Sequence, residues 1–257
     1  MIKRISETYS DILVMTQRDV RRYFRLPQLL ITNIMLNVVL LLLFNYVFGG
    51  AIQTGGVAYI QYFLPGFLVQ SVVFGSTQTS IGISEDLAKG LIDRFRSLPM
   101  ARSALLSGRV VADVLRYLIL IVLMIGVGYA TGFRFQSGAG SALAGIGLII
   151  LFGIALTWIG VLIGISVKDV ETAQVVGFVW VFPLVFASSL YVPIETMPDW
   201  LQVFAKINPV TPMVDTMRGL AWGTDISSSL WKSLVWDAAI ILITLPLALR
   251  RYRSLVR

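Results

Sequence analysis

The sequence predicts an all-α membrane protein with six transmembrane helices in a single domain over residues 1–257. Hydrophobic residues make up 56% of the chain and charged residues only 14%, whereas a typical soluble domain is about 45–50% apolar. The apolar residues also form long runs, and a membrane-spanning helix needs about 20 of them. Lys and Arg gather in alternate connections between these runs, which is the pattern of cytoplasmic loops.

Six runs are long enough to span a membrane, and polar residues dilute the second run most. The six are Leu29–Phe48, Ile60–Ile83, Tyr117–Phe135, Ala142–Ile165, Thr172–Tyr191 and Leu230–Leu249. Gly160 and Gly164 in the fourth run have the spacing that lets two membrane helices pack closely. Pro65, Pro183 and Pro246 fall inside runs and are expected to kink those helices.

The basic residues predict that both termini and residues 84–116 lie in the cytoplasm. Residues 1–28 have no apolar centre that would indicate a cleavable signal peptide. They are expected to form an interfacial helix on the inner leaflet, with an apolar face of Ile5, Tyr9, Ile12, Thr16 and Tyr23. The alternative is an amphipathic helix packed on another domain, although the sequence offers no second domain. Because topology explains the net charge of +7, a nucleic-acid partner is not expected.

Several kinds of chemistry are not expected from this composition. The chain has no cysteine and no histidine, which are the commonest ligands of transition metals, and histidine is also the commonest general base. It has no G-x-x-x-x-G-K-[ST] motif for binding ATP phosphates. We therefore expect no metal site, no catalytic residue and no cofactor in this chain.

Residues 84–108, here called the inner segment, interrupt the apolar pattern with charges at helical spacing. Ser84 is suited to the N-cap of a short helix, and Pro99 to its end. One face of this helix would be apolar (Leu87, Leu91, Phe95, Leu98) and another polar (Asp86, Lys89, Asp93, Arg96). Such a helix can lie on lipid or dock in a groove of another protein. The mixed signs of the polar face favour docking.

Residues 192–229 are predicted to form an outer, re-entrant region with two short helices before the last span. Four prolines and a row of Trp residues occur in or beside it, and tryptophan is typical of a membrane interface. These helices either cap the bundle or gate it. Asn208 is expected to cap the second short helix, and Arg218 to pair with Asp215 or a lipid phosphate.

A few polar residues within the predicted spans are candidates for a substrate pathway: Asn33, Asn37, Gln70 and Asp237. Amides in such positions either hydrogen-bond between helices or line a path. An ionisable group such as Asp237 is costly inside a membrane and is therefore a functional candidate.

Two stretches resemble one family of transporters. Residues 85–109, EDLAKGLIDRFRSLPMARSALLSGR, resemble the intracellular coupling helix of ABC-2 type transporter membrane subunits, and GLIDRFRSLPMARS is especially similar to DrrB-like drug-efflux permeases. The outer region resembles the C-terminal motif of the family through Pro193, Pro198, Trp200, Asn208, Pro209, Arg218 and Gly219.

The resemblance implies a bacterial plasma-membrane permease that exports a hydrophobic or amphipathic drug or lipid by alternating access. It also implies two ATPase subunits that bind ATP and Mg, and a second copy of this permease or a paralogue, with lipid around them. Coupling to the ATPase would be carried by Asp86, Leu87, Lys89, Gly90, Leu91, Asp93, Arg94, Phe95, Arg96 and Pro99.

Two other functions stay open. Within the family, the alternative is export of a polysaccharide or lipid-linked glycan, which would need aromatic platforms and a polar lining. Outside it, the alternative is a proton-coupled secondary transporter that uses Asp237 or Asp113, although no inverted repeat is detected. An intramembrane enzyme is not favoured because no paired acids lie at a common depth.

Overall fold

The computed structural model describes residues 2–25, 27–52, 56–90 and 104–255, and within these ranges the regular secondary structure is helical. The helices are α1 (Ile2–Arg25), α2 (Pro27–Leu43), α3 (Tyr59–Ala88), α4 (Ala104–Ala130), α5 (Gly138–Gly164), α6 (Val170–Phe186), α7 (Asp199–Ile207), α8 (Val210–Trp222) and α9 (Ser227–Leu255). A π-helical turn, Phe44–Phe48, extends α2, and a 3-10 turn, Ile194–Thr196, precedes α7.

Four helical stretches are long and apolar enough to cross a membrane: Ile31–Phe48, Leu106–Ala130, Gly138–Gly164 and Ser227–Ser254. The all-helical class is confirmed for the described residues, whereas the count of six spans stays a prediction. Helix α3 is long enough, with 30 residues, but its Gln, Ser and Thr residues lower its mean hydropathy, so it is not among the four. Helix α6 is apolar but has only 17 residues.

The predicted bounds of the third and fifth spans need correction. The helix that contains the third run extends from Ala104 to Ala130, so it ends before the predicted Phe135, and in the turn that follows the Phe133 N–H bonds the Gly128 carbonyl at 2.8 Å. The helix of the fifth ends at Phe186, so Tyr191 lies beyond it in the turn that leads to the outer region.

Helix α3 is the centre of the fold, and this position explains its composition. It packs against α4, α5, α6 and α8, and nearly all of its residues are buried. Polar residues such as Gln70 and Ser76 are therefore surrounded by protein rather than by lipid. A helix that is surrounded by protein does not need the apolar surface that lipid demands.

Close packing of α5 on α3 depends on glycine. A Cβ atom on Gly160 would overlap the Ser76 carbonyl oxygen, and one on Gly164 would lie 2.7 Å from the Ser80 carbonyl oxygen. Both obstacles are backbone atoms, which cannot swing away as a flexible side chain can. The predicted small-residue contact is confirmed, and its partner is α3.

Helix α1 is present as predicted, but a face of it packs on protein. Met15 is buried, and the Thr16 hydroxyl donates a hydrogen bond to the Gly108 carbonyl at 3.3 Å. A Cβ atom on Gly108 would lie 2.5 Å from Met15 Cβ, so the two helices meet closely. The start of α4 therefore provides a protein surface for α1 within the same domain. The side chains of Ile5, Tyr9 and Tyr23 lie outside the described ones.

Ser84 does not begin a separate helix. Helix α3 continues through Ser84 to Ala88, with Ser84 and Asp86 both buried. It ends at Ala88, and the turn that follows contains Gly90, whose N–H bonds the Leu87 carbonyl at 2.9 Å and whose φ of +65° lies in the left-handed region that glycine adopts easily. The rest of the predicted amphipathic helix falls in residues 91–103, outside the described residues.

Candidate functional site

A buried group of charged residues lies where α1, α3 and α4 meet, next to both described ends of the inner segment. We call it the inner charge cluster, and its members are Arg18, Asp19, Asp86, Arg109, Asp113 and Arg116. Their spacing along α4 places one basic residue on each side of Asp113 within a helical turn, so all three side chains approach α3.

Asp113 is the best-connected acid of the inner charge cluster. It is fully buried, accepts a hydrogen bond from the Thr79 hydroxyl at 2.6 Å, and forms ion pairs with Arg116 at 3.0 Å and Arg109 at 3.8 Å. Arg116 also donates to the Gly75 carbonyl at 2.9 Å. Because removing one partner leaves buried charge without compensation, these contacts hold α4 and α3 in one relative position.

Arg18 joins α1 to the end of α3. Its Nη2 atom lies 2.7 Å from an Asp19 carboxylate oxygen and 3.1 Å from one of Asp86. Burial raises the pKa of the Asp19 carboxyl, while the Arg109 and Arg18 guanidinium groups oppose this shift. The last turns of α3, the start of α4 and α1 therefore form one electrostatically linked unit.

The structure describes the predicted coupling residues up to Gly90 but not those after it. Asp86 belongs to the inner charge cluster, Leu87 packs against the apolar core at this end of the bundle, and exposed Lys89 pairs with Glu85 at 3.3 Å. Leu91, Asp93, Arg94, Phe95, Arg96 and Pro99 lie outside the described residues. Sequence reasoning missed Arg18 and Asp19, since they lie on α1, far from the inner segment in sequence.

At the opposite end of α3, Arg218 of α8 packs beside the turn that precedes Pro65. A proline inside a helix frees the carbonyl four residues earlier, here that of Gln61, which accepts a hydrogen bond from Trp222 Nε1 at 3.3 Å. The adjacent Tyr62 carbonyl accepts from Arg218 Nε at 3.0 Å, and the guanidinium carbon lies 3.5 Å from the Tyr62 ring centroid.

Arg218 also binds the turn that follows α6. Its Nη2 atom donates to the Leu190 carbonyl at 2.9 Å, and its Nη1 atom lies 3.6 Å from Asp215, which accepts from the Ser189 hydroxyl at 2.8 Å. The predicted pairing with Asp215 is thus present, while the buried position of Arg218 leaves its guanidinium away from a lipid phosphate. We call Arg218, Asp215, Trp222 and the groups that they bind the outer block.

The other outer motif residues have separate positions. The Asn208 side chain donates to the Leu184 and Ala187 carbonyls at 2.6 and 2.8 Å and accepts from the Val210 N–H at 2.9 Å, so it joins the end of α6 to the start of α8.

A Cβ atom on Gly219 would overlap Ile226, where the chain turns back toward α9. Pro193 precedes the 3-10 turn, Pro198 precedes α7 and Pro209 precedes α8. Trp200 does not join the outer block: it is 73% exposed on α7.

The candidate pathway residues divide into contacting amides and an isolated acid. Asn37 bonds Asn33 on its own helix and accepts from the Ser71 hydroxyl of α3 at 3.1 Å. Gln70 accepts from the Tyr191 hydroxyl at 2.6 Å. Asp237 lies apart from these contacts, buried within the bundle.

A row of aromatic rings runs along α6 and continues past its end, and sequence reasoning missed it. Phe182 stacks on Phe186 with ring centroids 5.4 Å apart, and Phe186 stacks on Tyr191 at 5.1 Å. Phe182 and Phe186 are about half exposed. Phe178 extends the row inward at 5.8 Å from Phe182. The spacing of Phe178, Phe182 and Phe186 by four residues was visible in the sequence and places them on one face of a helix.

The fold and these sites define a multi-pass, all-helical membrane protein whose central helix is fixed to its neighbours at both ends. Residues 10–222 match the family model of the ABC-2 type transporter, and the chain belongs to this family. It is 32% identical over 237 residues to a daunorubicin resistance ABC transporter permease protein, DrrB1, of Streptomyces coeruleorubidus, with 92% of this chain and 84% of that protein covered.

Other relatives agree with this assignment. A probable doxorubicin resistance ABC transporter permease protein, DrrC, of Mycobacterium tuberculosis is 28% identical, with 95% of this chain and 89% of that protein covered. A probable multidrug ABC transporter permease, YbhR, of Escherichia coli is 25% identical over 72% of this chain and 50% of its own length. The chain is therefore a membrane permease subunit of an ABC exporter.

Proposed function

We propose that this permease exports a hydrophobic or amphipathic compound, a drug or a lipid, by alternating access driven by separate ATPase subunits. Two copies of the chain, or one copy and a paralogue, enclose the pathway in a bacterial plasma membrane, and two ATPase subunits bind ATP and Mg on the cytoplasmic side. Both termini and the inner segment face the cytoplasm. In the membrane, α3 and α6 act as the second and fifth of six transmembrane helices.

The observation that carries this proposal is the continuity of α3 between two fixed ends. Its 30 residues correspond to about 45 Å at 1.5 Å per residue, which is enough to cross a membrane. The inner charge cluster binds the end of α3 next to the inner segment, and the outer block binds the end that contains Pro65. A displacement of the inner segment is thereby carried by one helix to the opposite side of the bundle.

Closure of the ATPase subunits on ATP would move residues 91–103, which connect α3 to α4. Because the inner charge cluster ties α3, α4 and α1 together, these helices would move as a unit. ATP then favours one of two conformations through its unequal affinity for them. The outer block transmits the movement to α8 and to the turn after α6.

The substrate surface that we propose combines the aromatic row of α6 with the amides of α2 and α3. Half-exposed Phe182 and Phe186 provide apolar faces. Gln70 provides a hydrogen-bonding group that contacts Tyr191, the last ring of the row, and Asn37 provides another that contacts Ser71 of α3. Drug sites are mostly apolar and contain few polar groups that set orientation. The names of the DrrB1 and DrrC relatives refer to resistance to daunorubicin and doxorubicin, which makes these compounds suitable first probes.

Reconstitution tests the proposal. The permease and its ATPase subunits are placed in proteoliposomes, and daunorubicin movement is followed by its fluorescence. We expect transport only when permease, ATPase subunits and ATP are all present. Charge reversal at Asp93 or Arg96 should leave ATP hydrolysis but lower transport per ATP, whereas the matched control Lys206→Glu, on the exposed surface of α7, should leave both unchanged. Daunorubicin movement by the permease alone on a proton gradient would overturn the proposal.

The aromatic row also favours a second candidate, the export of a glycan, because stacked rings are suitable platforms for sugars. In the same vesicles, a lipid-linked oligosaccharide would then be transported with ATP, and daunorubicin would neither be transported nor compete. Transport of daunorubicin without competition from the oligosaccharide would remove this candidate.

A further inference from the structure

Asp237 is a buried acid that the coupling contacts do not use. It lies in the α9 span and is 2% exposed. Both of its carboxyl oxygens are buried, and neither has a hydrogen-bond partner among the described residues. Buried polar groups are nearly always hydrogen-bonded. A buried carboxyl of which neither oxygen has a hydrogen-bond partner among the described residues therefore requires an explanation.

The helices packed against α9 supply no counter-charge at Asp237. Helix α9 packs on α5 and α8, and α5 contains no charged or titratable residue. The charged residues of α8 are Asp215 and Arg218, and both are engaged in the outer block. On α9 itself, Lys232 is exposed and five residues away, which places it on a different face.

The neighbouring polar groups of α9 bind each other instead. One turn before Asp237, the Ser233 hydroxyl donates to the Ser229 carbonyl at 2.9 Å and lies 3.4 Å from the Thr216 hydroxyl of α8. One turn later the helix is apolar at Ile240 and Ile241. Along α9, Asp237 thus lies between a polar turn that contacts α8 and an apolar turn.

An ionised carboxylate at this position would have neither a counter-ion nor a hydrogen-bond donor among the described residues, and a charge buried in this way is strongly disfavoured. Binding of a proton neutralises the carboxylate and needs no cavity beside it. We propose that Asp237 is a proton-binding site of the transport cycle. The carboxyl oxygen holds a proton while α9 lies against α5 and α8, and the O–H bond breaks, with transfer of the proton to water, when these helices separate and water enters.

This inference rests on the proposed function, because the separation of α9 from α8 would follow from movement of the outer block. It predicts that proton binding accompanies each transport cycle, while ATP remains the source of energy. It differs from proton-driven secondary transport, in which a proton gradient alone would suffice.

Carbodiimide labelling tests the proposal directly. Dicyclohexylcarbodiimide reacts with protonated carboxyls in apolar surroundings, whereas a water-soluble carbodiimide reacts with carboxyls at the surface. Membranes that contain the permease with its ATPase subunits are treated at about pH 7.5, where an ordinary Asp is almost fully ionised. Modified peptides are then identified by mass spectrometry. Asp225, exposed in the loop before α9, is the internal control for the water-soluble reagent.

We expect the apolar reagent to modify Asp237 at least about tenfold more than Asp225, because most copies of an ordinary Asp carry no proton at this pH. Asp237→Asn should lose the modification and Asp237→Glu should keep it. Trapping the ATPase subunits with ATP and vanadate should lower the modification of Asp237 severalfold. Absence of modification at Asp237, or equal modification in free and trapped complexes, would overturn the proposal.

Transport in the same preparation separates this proposal from the proposed function. ATP-driven daunorubicin transport by the wild type together with an unmodified Asp237 would refute the proton site and leave the exporter function standing. Absence of ATP-driven daunorubicin transport would refute the proposed export of this drug, whatever the labelling of Asp237.

Discussion

Replacing Arg218 by Gln tests whether the outer block depends on this buried guanidinium. The change removes the hydrogen bonds to the Tyr62 and Leu190 carbonyls and the ion pair with Asp215. A hydrogen bond to a charged group contributes about 1.5–3 kcal/mol, and leaving a buried acceptor without a donor costs about 1–3 kcal/mol. With two carbonyls affected, we expect a loss of roughly 3–6 kcal/mol in the free energy of unfolding.

The assay is thermal unfolding of the purified permease in detergent. The measured quantity is the fraction of the protein that still elutes as a folded species at each temperature. For a protein of this size, about 1 kcal/mol corresponds to about 2–4 °C, so the midpoint should fall by about 6–24 °C. Arg218→Lys should recover little, since a single ammonium cannot reproduce a planar fork that bonds two carbonyls.

Arg134→Gln is the matched control. Arg134 also donates to two backbone carbonyls, those of Tyr129 and Phe133, but it is exposed. Water can replace its hydrogen bonds, so its loss should cost less than about 1 kcal/mol. Equal midpoints for Arg218→Gln and Arg134→Gln would refute the structural role assigned to Arg218.

Three further substitutions test other contacts. Gly160→Ala should lower the melting midpoint, because its new Cβ meets the backbone of α3 and overpacking costs about 1–3 kcal/mol or more. Asp113→Asn should cost about 3–5 kcal/mol, since it removes the charge between two arginines, and this loss is measured as the same midpoint. The pKa of Asp169 is lowered by hydrogen bonds from the Thr172 N–H and hydroxyl. Its stabilisation of α6 is therefore present above the unfolded pKa of about 3.9 and is lost as the pH falls through the lower folded value.

Each of these expectations has a control and a contradicting result. Gly147 has open space around it, so Gly147→Ala should be neutral or stabilise by about 0.5–1 kcal/mol. If Gly160→Ala were equally harmless, the close contact between α5 and α3 would be wrong. Asp113→Glu keeps the charge and should melt above Asp113→Asn, and the reverse order would contradict the electrostatic role. Asp169→Asn keeps an N-cap but cannot titrate, so an acid-dependent loss of midpoint as large as that of the wild type would exclude the Asp169 cap as its cause.

The sequence was informative where a local pattern determines the structure. The runs that contain α2, α4, α5 and α9 were recognised because lipid requires length and apolar composition. The spacing of Gly160 and Gly164 predicted close packing, and the spacing of Asp215 and Arg218 allowed their pairing. The family resemblance followed from motifs that are continuous in sequence.

Contacts between distant parts of the chain could not be predicted in this way. Arg218 and the Tyr62 carbonyl are 156 residues apart, and no local pattern shows that the carbonyls before Pro65 in α3 accept hydrogen bonds from α8. The N-cap assigned to Ser84 was wrong. A serine followed by acidic residues is typical of the start of a helix, but here these residues lie inside a helix that continues through them. The burial of α1 on α4 depends on Gly108, whose lack of a side chain has meaning only when the partner helix is known.

The central claim is that residues 91–103, which connect α3 to α4, transmit the closure of the ATPase subunits to the helix bundle. The chain contains no cysteine, so a single cysteine at Ile92 or Phe95 can carry a photo-crosslinker without background. These positions lie outside the described residues. In membranes that contain the ATPase subunits and ATP, we predict crosslinks to an ATPase subunit whose yield changes during turnover. Crosslinks that reach only phospholipid under the same conditions would contradict the claim.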